Sequence, residues 1–176
     1  NGIFRLGISL FMVVALLDIL VAWALYVFLK PVNKSLSLLT AWLRIVYATI
    51  LVVILINLIN VLQLLNGADY LSVFTANQLQ TQVMLSLNIF TLGFEFGLII
   101  FGFHLLLLGY MIFKAGYMRK ILGILILLAG LGYLIDGFGN LLSTNYNISI
   151  SMYTFIGEVI LIFWLLIVGR KIKESN

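Results

Sequence analysis

The sequence predicts an all-α, polytopic transmembrane helical bundle, a single domain over residues 1–176, on three observations. Hydrophobic residues make up 64% of the chain and charged residues 9%, whereas a soluble domain is about one-quarter charged. Apolar runs of the roughly 20 residues needed to cross a bilayer recur five times. The lysines and arginines gather at the ends of those runs instead of forming a patch, so the formal charge of +4 reads as topological anchoring and nucleic acid is not an expected partner.

The first span covers 6–29 and stops at Lys30-Pro31-Val32-Asn33-Lys34, where the only proline removes a backbone donor. The second covers 38–65. A longer polar connection, Asn66 to Gln82, follows; its last part, Ala76 to Gln82, is either a short interfacial helix or a polar loop. The third apolar run extends from Val83 to Phe113, and the span is placed at 88–113. Lys114 to Lys120 lead to a fourth span at 121–142, and Ser143 to Ile148 to a fifth at 149–168.

Charge placement orients these spans. Lys30 and Lys34, Lys114, Arg119 and Lys120, and then Arg170, Lys171 and Lys173 all fall on one side, while the other two connections carry no Lys or Arg. By the positive-inside rule the basic side, with the C-terminus, is cytoplasmic. Asn1 then lies outside, which requires either translocation of the N-terminus or one more helix upstream. The opening Asn1-Gly2, without an initiator Met, favours the upstream helix and six spans in the parent protein.

Four acids, Asp18, Glu95, Asp136 and Glu158, sit within these apolar stretches. A carboxylate in hydrocarbon costs about 2.5–3.5 kcal/mol on insertion scales, so such groups face a bundle interior, a partner or water. Asp18 and His104 fall near the midplane and Arg44 in the cytoplasmic half. Glu95, Asp136 and Glu158 fall in the outer half, as do Asn57, Asn60 and Gln63. These acids and amides form a candidate polar network or ligand site, with scattered structural hydrogen bonding as the plainer reading. Asp18 has two expected partners: Arg44 in an ion pair, unless Arg44 snorkels to the headgroups, or His104 in a proton relay.

Helical periodicity gives the glycines meaning. In the third span Gly93 and Gly97 share the face of His104, while Glu95, Gly102 and Gly109 lie nearly opposite. Small residues let helices approach closely in lipid, so the third helix is expected to be central and contacted on two sides. Gly132 repeats the pattern beside Asp136 in the fourth span. In the first, Asp18 lies between Ala15 and Ala22; in the fifth, Glu158 shares a stripe with Ser151 and Thr154.

Reactive motifs are few. There is no cysteine, which removes disulfides, thiolate metal sites and a cysteine nucleophile. A single histidine excludes a bis-histidine haem within the chain and leaves any zinc site short of nitrogen ligands. No hydrolase elbow, metalloprotease helix, phosphate loop or dinucleotide fingerprint occurs. No cofactor, metal or catalytic residue is assigned.

The run Phe101-Gly102-Phe103-His104-Leu105-Leu106-Leu107-Leu108-Gly109-Tyr110, followed by Lys114-Ala115-Gly116-Tyr117 and by Ala129-Gly130-Leu131-Gly132-Tyr133-Leu134-Ile135-Asp136, resembles a bacterial integral-membrane family, the one grouped as domain of unknown function four-three-eight-six. Phe4-Arg5-Leu6-Gly7 with Asp18, Tyr26 to Val32, and Leu43-Arg44 extend the likeness over most of the chain. Arg5, Asp18, Arg44, His104 and Asp136 match the family's polar pattern; Glu95 and Glu158 do not. The resemblance implies a multi-helix protein of the bacterial cytoplasmic membrane with an additional N-terminal helix, and it carries no reaction.

The expected function is therefore non-catalytic: binding or transport of a small polar molecule or cation through a polar network in the outer half of the bundle. Membrane lipids are expected partners. One alternative is an accessory or regulatory subunit that packs its glycine faces against another membrane protein or a second copy. Another is an intramembrane enzyme using His104 with an aspartate.

Overall fold

A computed structural model describes residues 2–143 and 145–168, so the basic cluster at Arg170, Lys171 and Lys173 lies outside the described residues. Helix α1 spans Gly2–Leu29, α2 Lys34–Leu64, α3 Ala76–Lys114, α4 Lys120–Leu142, α5 Ser151–Thr154 and α6 Ile156–Ile167. A 3-10 turn over Asp69–Val73 bridges α2 and α3, and the described residues contain no strand. The first four long helices are each long and apolar enough to cross a membrane. A shorter apolar stretch, Ser151–Ile167, makes the fifth element.

Local chemistry explains the boundaries. The Asn33 side chain accepts the Leu36 N–H at 2.9 Å and starts α2. After α2, Gly67 takes the left-handed conformation at φ 72°, which a side chain would disfavour. Helix α3 opens with a capping box: the Thr75 hydroxyl accepts the Gln78 N–H, and the Gln78 side chain accepts the Thr75 N–H at 2.8 Å. This corrects the expected start near Asn88. Ala76 to Gln82 is neither a separate interfacial helix nor a loop but the first turns of α3, because the cap lets helix propagate outward from the apolar run. At 39 residues α3 is about 58 Å long, well beyond a hydrocarbon core of about 30 Å, so its polar start projects from the membrane.

Alternation of the spans puts Lys30, Lys34, Lys114, Arg119 and Lys120 at one end, the basic end, and the α2–α3 and α4–α5 connections at the opposite end. At the basic end the α3–α4 connection is stitched to the last turn of α1: the Tyr117 hydroxyl donates to the Phe28 carbonyl at 2.7 Å. Burial of Tyr117 pushes its phenol pKa up from the ordinary value.

Helix α3 packs between α2 and α4, α1 lies against α2, and α5 and α6 lie against α4. The main core, including Leu105, Leu108, Met111, Ile126 and Ala129, lies along the α3–α4 contact. Glycines set these approaches. A Cβ on Gly93 would meet Ile54 at 2.5 Å, and one on Gly97 would touch Tyr47 and Ile50, so both face α2. A Cβ on Gly102 would lie 3.1 Å from the Gly130 carbonyl, and one on Gly109 2.8 Å from the Gly123 carbonyl. These two facing glycine pairs bring the antiparallel backbones of α3 and α4 together. Gly132 packs instead against Thr154 of α5.

Candidate functional site

Three helices place one polar residue each at a common depth. Arg44, His104 and Asp18 lie about 15–16 Å along their helices from the basic end, at 1.5 Å per residue. Arg44 Nη2 and Nε donate to Asp18 Oδ1 at 2.5 and 3.0 Å. Its Nη1 lies 3.3 Å from His104 Nε2. On the other side of the ring, His104 Nδ1 lies 2.8 Å from the Thr40 carbonyl oxygen. A carbonyl only accepts, so Nδ1 carries the proton, and Nε2 presents its lone pair to the guanidinium. Arg44 thus stands between Asp18 and His104. The alternative Asp18–His104 bond is not formed, nor does Arg44 turn toward the headgroups.

Burial explains why the cluster must be complete. His104 is 0% exposed and Asp18 7%, and an unpaired charge at that depth would be strongly destabilising. Aromatic rings fill the space around it. The Phe101 ring lies 5.3 Å below the Arg44 guanidinium carbon, stacks with His104 and contacts Tyr47 and Tyr133 edge-on or tilted. The cation thereby gains an aromatic face within a partly desolvated site.

Toward the opposite end, a pocket of about 430 Å³ opens between α3, α4 and the α4–α5 connection. Glu95, Asp136, Tyr133, Asn140 and Asn147 line it, with Phe94 and Leu98 as apolar wall. Asp136 is committed locally. It accepts the Tyr146 hydroxyl at 2.7 Å and the backbone N–H groups of Ile150 and Ser151 at 2.9 and 2.7 Å, which caps the start of α5 and holds the connection over the pocket. The bond to Asp136 pushes the Tyr146 phenol pKa up to about 12. Glu95, half-buried, makes no hydrogen bond or ion pair among the described residues.

Glu158 lies deeper. A turn at Phe155 whose backbone stays helical separates α5 from α6, and Glu158 follows one turn later with Oε1 buried and without a hydrogen-bond partner. The Tyr133 phenol lies beside its carboxyl, and Arg44 and Asp18 are within electrostatic reach. Tyr133 therefore touches three groups: the pocket, Glu158 and Phe101.

The structure thus brings Asp18, Arg44 and His104 into one cluster and Glu95 and Asp136 into one pocket, with Glu158 between. Asn57 and Asn60 join neither. Asn57 Nδ2 donates to the Ile54 carbonyl in its own helix at 3.2 Å, and Asn60 Nδ2 to Ser86 Oγ at 2.9 Å, tying α2 to α3. Thr40, Tyr47, Phe101, Tyr133 and Tyr146 were not singled out by sequence reasoning. One signal was present for Tyr133: with Asp136 and Asn140 it forms a polar stripe at helical spacing on α4. No group of three or more His, Cys, Asp or Glu side chains suited to a metal occurs among the described residues. A larger cavity of about 710 Å³ at the basic end is lined by Pro31, Asn33, Tyr110, Lys114 and Tyr117 and holds none of the intramembrane acids.

The family described as Domain of unknown function (DUF4386) matches residues 1–169. A protein of Archaeoglobus fulgidus, described as uncharacterized, is 38% identical over 167 residues, covering 95% of this chain and 85% of that protein. No solved structure matches. A match from the first residue through α6, on a bundle of four long apolar helices and a shorter fifth, has one consequence: the chain belongs to the DUF4386 family, and it is a multi-pass membrane protein.

Proposed function

We propose that the protein is a non-catalytic component of a bacterial cytoplasmic membrane, C-terminus inside, that binds a small polar molecule or cation in the pocket bounded by Glu95, Tyr133 and Asp136. The carrying observation is the convergence of Glu95 and Asp136, far apart in sequence, on one cavity of about 430 Å³, a size within the range of small-molecule sites. The basic connections give the orientation by the positive-inside rule, so this pocket faces outward.

The Arg44 cluster serves as a rigid floor in this reading. Both nitrogens of His104 are engaged and its ring is fully buried, an arrangement suited to positioning Arg44 and poorly suited to proton transfer with a substrate. Tyr133 connects floor and pocket. Transport would need a second accessible state, and binding is the activity this single arrangement supports.

The test is ligand-dependent stabilisation of the purified full chain in detergent across a panel of small polar solutes. At least one solute should raise the melting temperature of the parent protein and not of the Glu95→Ala variant. Equal responses from both proteins across the panel would remove the pocket from consideration.

A further inference from the structure

We infer that the occupant of this outer pocket is a small organic ammonium ion, an inference that rests on the pocket reading above. Charge is the first argument. No Lys or Arg lines the pocket, Asp136 spends its oxygens on Tyr146 and two backbone N–H groups, and Glu95 keeps its carboxylate unengaged among the described residues. A carboxylate in a half-buried site attracts a cation because water screens it poorly there.

The walls select the kind of cation. Phe94 and Tyr133 line the same cavity as Glu95, and an ammonium against a ring gains about 0.5–2 kcal/mol according to its desolvation. A bare metal ion gains little from such rings and seeks several oxygen ligands at short range. Size points the same way. About 430 Å³ is many times the roughly 30 Å³ share of one water, so the cavity has room for an ion with several carbon atoms. Asn140 and Asn147 offer amide oxygens to any N–H or hydroxyl the ligand carries.

Choline, its neutral isostere 3,3-dimethylbutan-1-ol and the anion 3,3-dimethylbutanoate have similar shapes and differ in charge. Binding of each to the full chain in detergent is read by saturation-transfer NMR, alongside calorimetric titration with sodium chloride. We expect choline to bind at least tenfold more tightly than either analogue, and Glu95→Gln to reduce choline affinity at least tenfold while leaving that of the isostere unchanged. Because Glu95 makes no structural hydrogen bond among the described residues, this variant should melt with the parent protein. Equal or tighter binding of the neutral isostere overturns the ammonium assignment and leaves the pocket standing. Saturable, Glu95-dependent binding of sodium without choline overturns it in favour of an inorganic cation. No binding of choline overturns the assignment, and it overturns the pocket reading as well only when no solute of the panel above stabilises the parent protein over Glu95→Ala.

Discussion

Arg44 fixes the protonation pattern of His104: with Nη1 3.3 Å from Nε2 and the Thr40 carbonyl 2.8 Å from Nδ1, the ring fits as one neutral tautomer only. The same guanidinium neutralises Asp18 through two further bonds. One cation thus completes both neighbours, which couples α1, α2 and α3 at the middle of the bundle.

Breaking this cluster from one side should be costly, and removing it as a unit should be tolerated. Asp18→Asn leaves Arg44 buried without its counter-charge and should destabilise the protein by about 3–5 kcal/mol, whereas replacing both partners by apolar residues of similar volume recovers most of that loss. Arg44→Lys should behave as a loss, because a single ammonium lacks the planar fork that reaches Asp18 and His104 together. Unfolding by SDS titration of Asp18→Leu, Arg44→Met and the Asp18→Leu/Arg44→Met double variant, with Asp18→Asn alongside, checks this; additive losses in the double variant would contradict the coupling.

The close contact of α3 and α4 gives a second prediction. A side chain at Gly109 would press on the Gly123 carbonyl and Leu127, and backbone cannot yield as a flexible side chain does. Gly109→Val should lower stability by about 1–3 kcal/mol or more. Gly7, with nothing within 4 Å of an added Cβ, is the control, and Gly7→Val should be neutral. Thermal melts in one detergent compare the two; equal shifts would contradict the packing described.

How much of this was readable in the sequence depends on the kind of interaction. Apolar runs and basic ends define spans because the bilayer imposes one length and one charge asymmetry on them. Asp18 and Arg44 were recognisable as partners because each is an isolated charge within an apolar helix. Gly102 and Gly109 were legible as a packing face, but Gly123 and Gly130, seven apart on α4 in the same way, were not identified as the matching half; pairing requires the antiparallel register. The start of α3 was hidden because Thr75 and Gln78 lie in a polar stretch, where a capping box competes with a plain loop. Asp136 illustrates the deeper limit. Its composition suggests a ligand site, yet three of its bonds close the α4–α5 connection, a role that exists only once the chain has turned back.

That connection offers a pH test. The Tyr146 hydroxyl donates to Asp136, and its pKa is pushed up to about 12 against an ordinary value of about 10. A raised folded-state pKa means that the stabilisation is fully present below pH 10 and is lost as pH rises through 12. Ultraviolet titration should show one more phenol ionising late in the parent protein than in Asp136→Asn, where Tyr146 should return toward pH 10 because the charged acceptor is gone. Identical titration curves for the two proteins would sever Tyr146 from Asp136.

Glu158 supplies the last test, because its placement has a thermodynamic consequence of definite sign. Oε1 is buried without a hydrogen bond, and a buried polar atom left unsatisfied costs about 1–3 kcal/mol. Asp18 already neutralises Arg44, so no full cation is assigned to Glu158 within the described cluster. Glu158→Leu removes the desolvated oxygen but also the carboxyl beside the Tyr133 phenol, and should therefore stabilise the protein by less than that amount. Glu158→Gln tests the charge separately, since it retains polar atoms and shape and should give the smaller gain. SDS unfolding of both variants beside the parent decides the matter. A loss of stability in Glu158→Leu would mean that the carboxyl is paired in the folded protein; a gain would identify Glu158 as a group retained at the expense of stability, next to the tyrosine that joins the outer pocket to the Arg44 cluster.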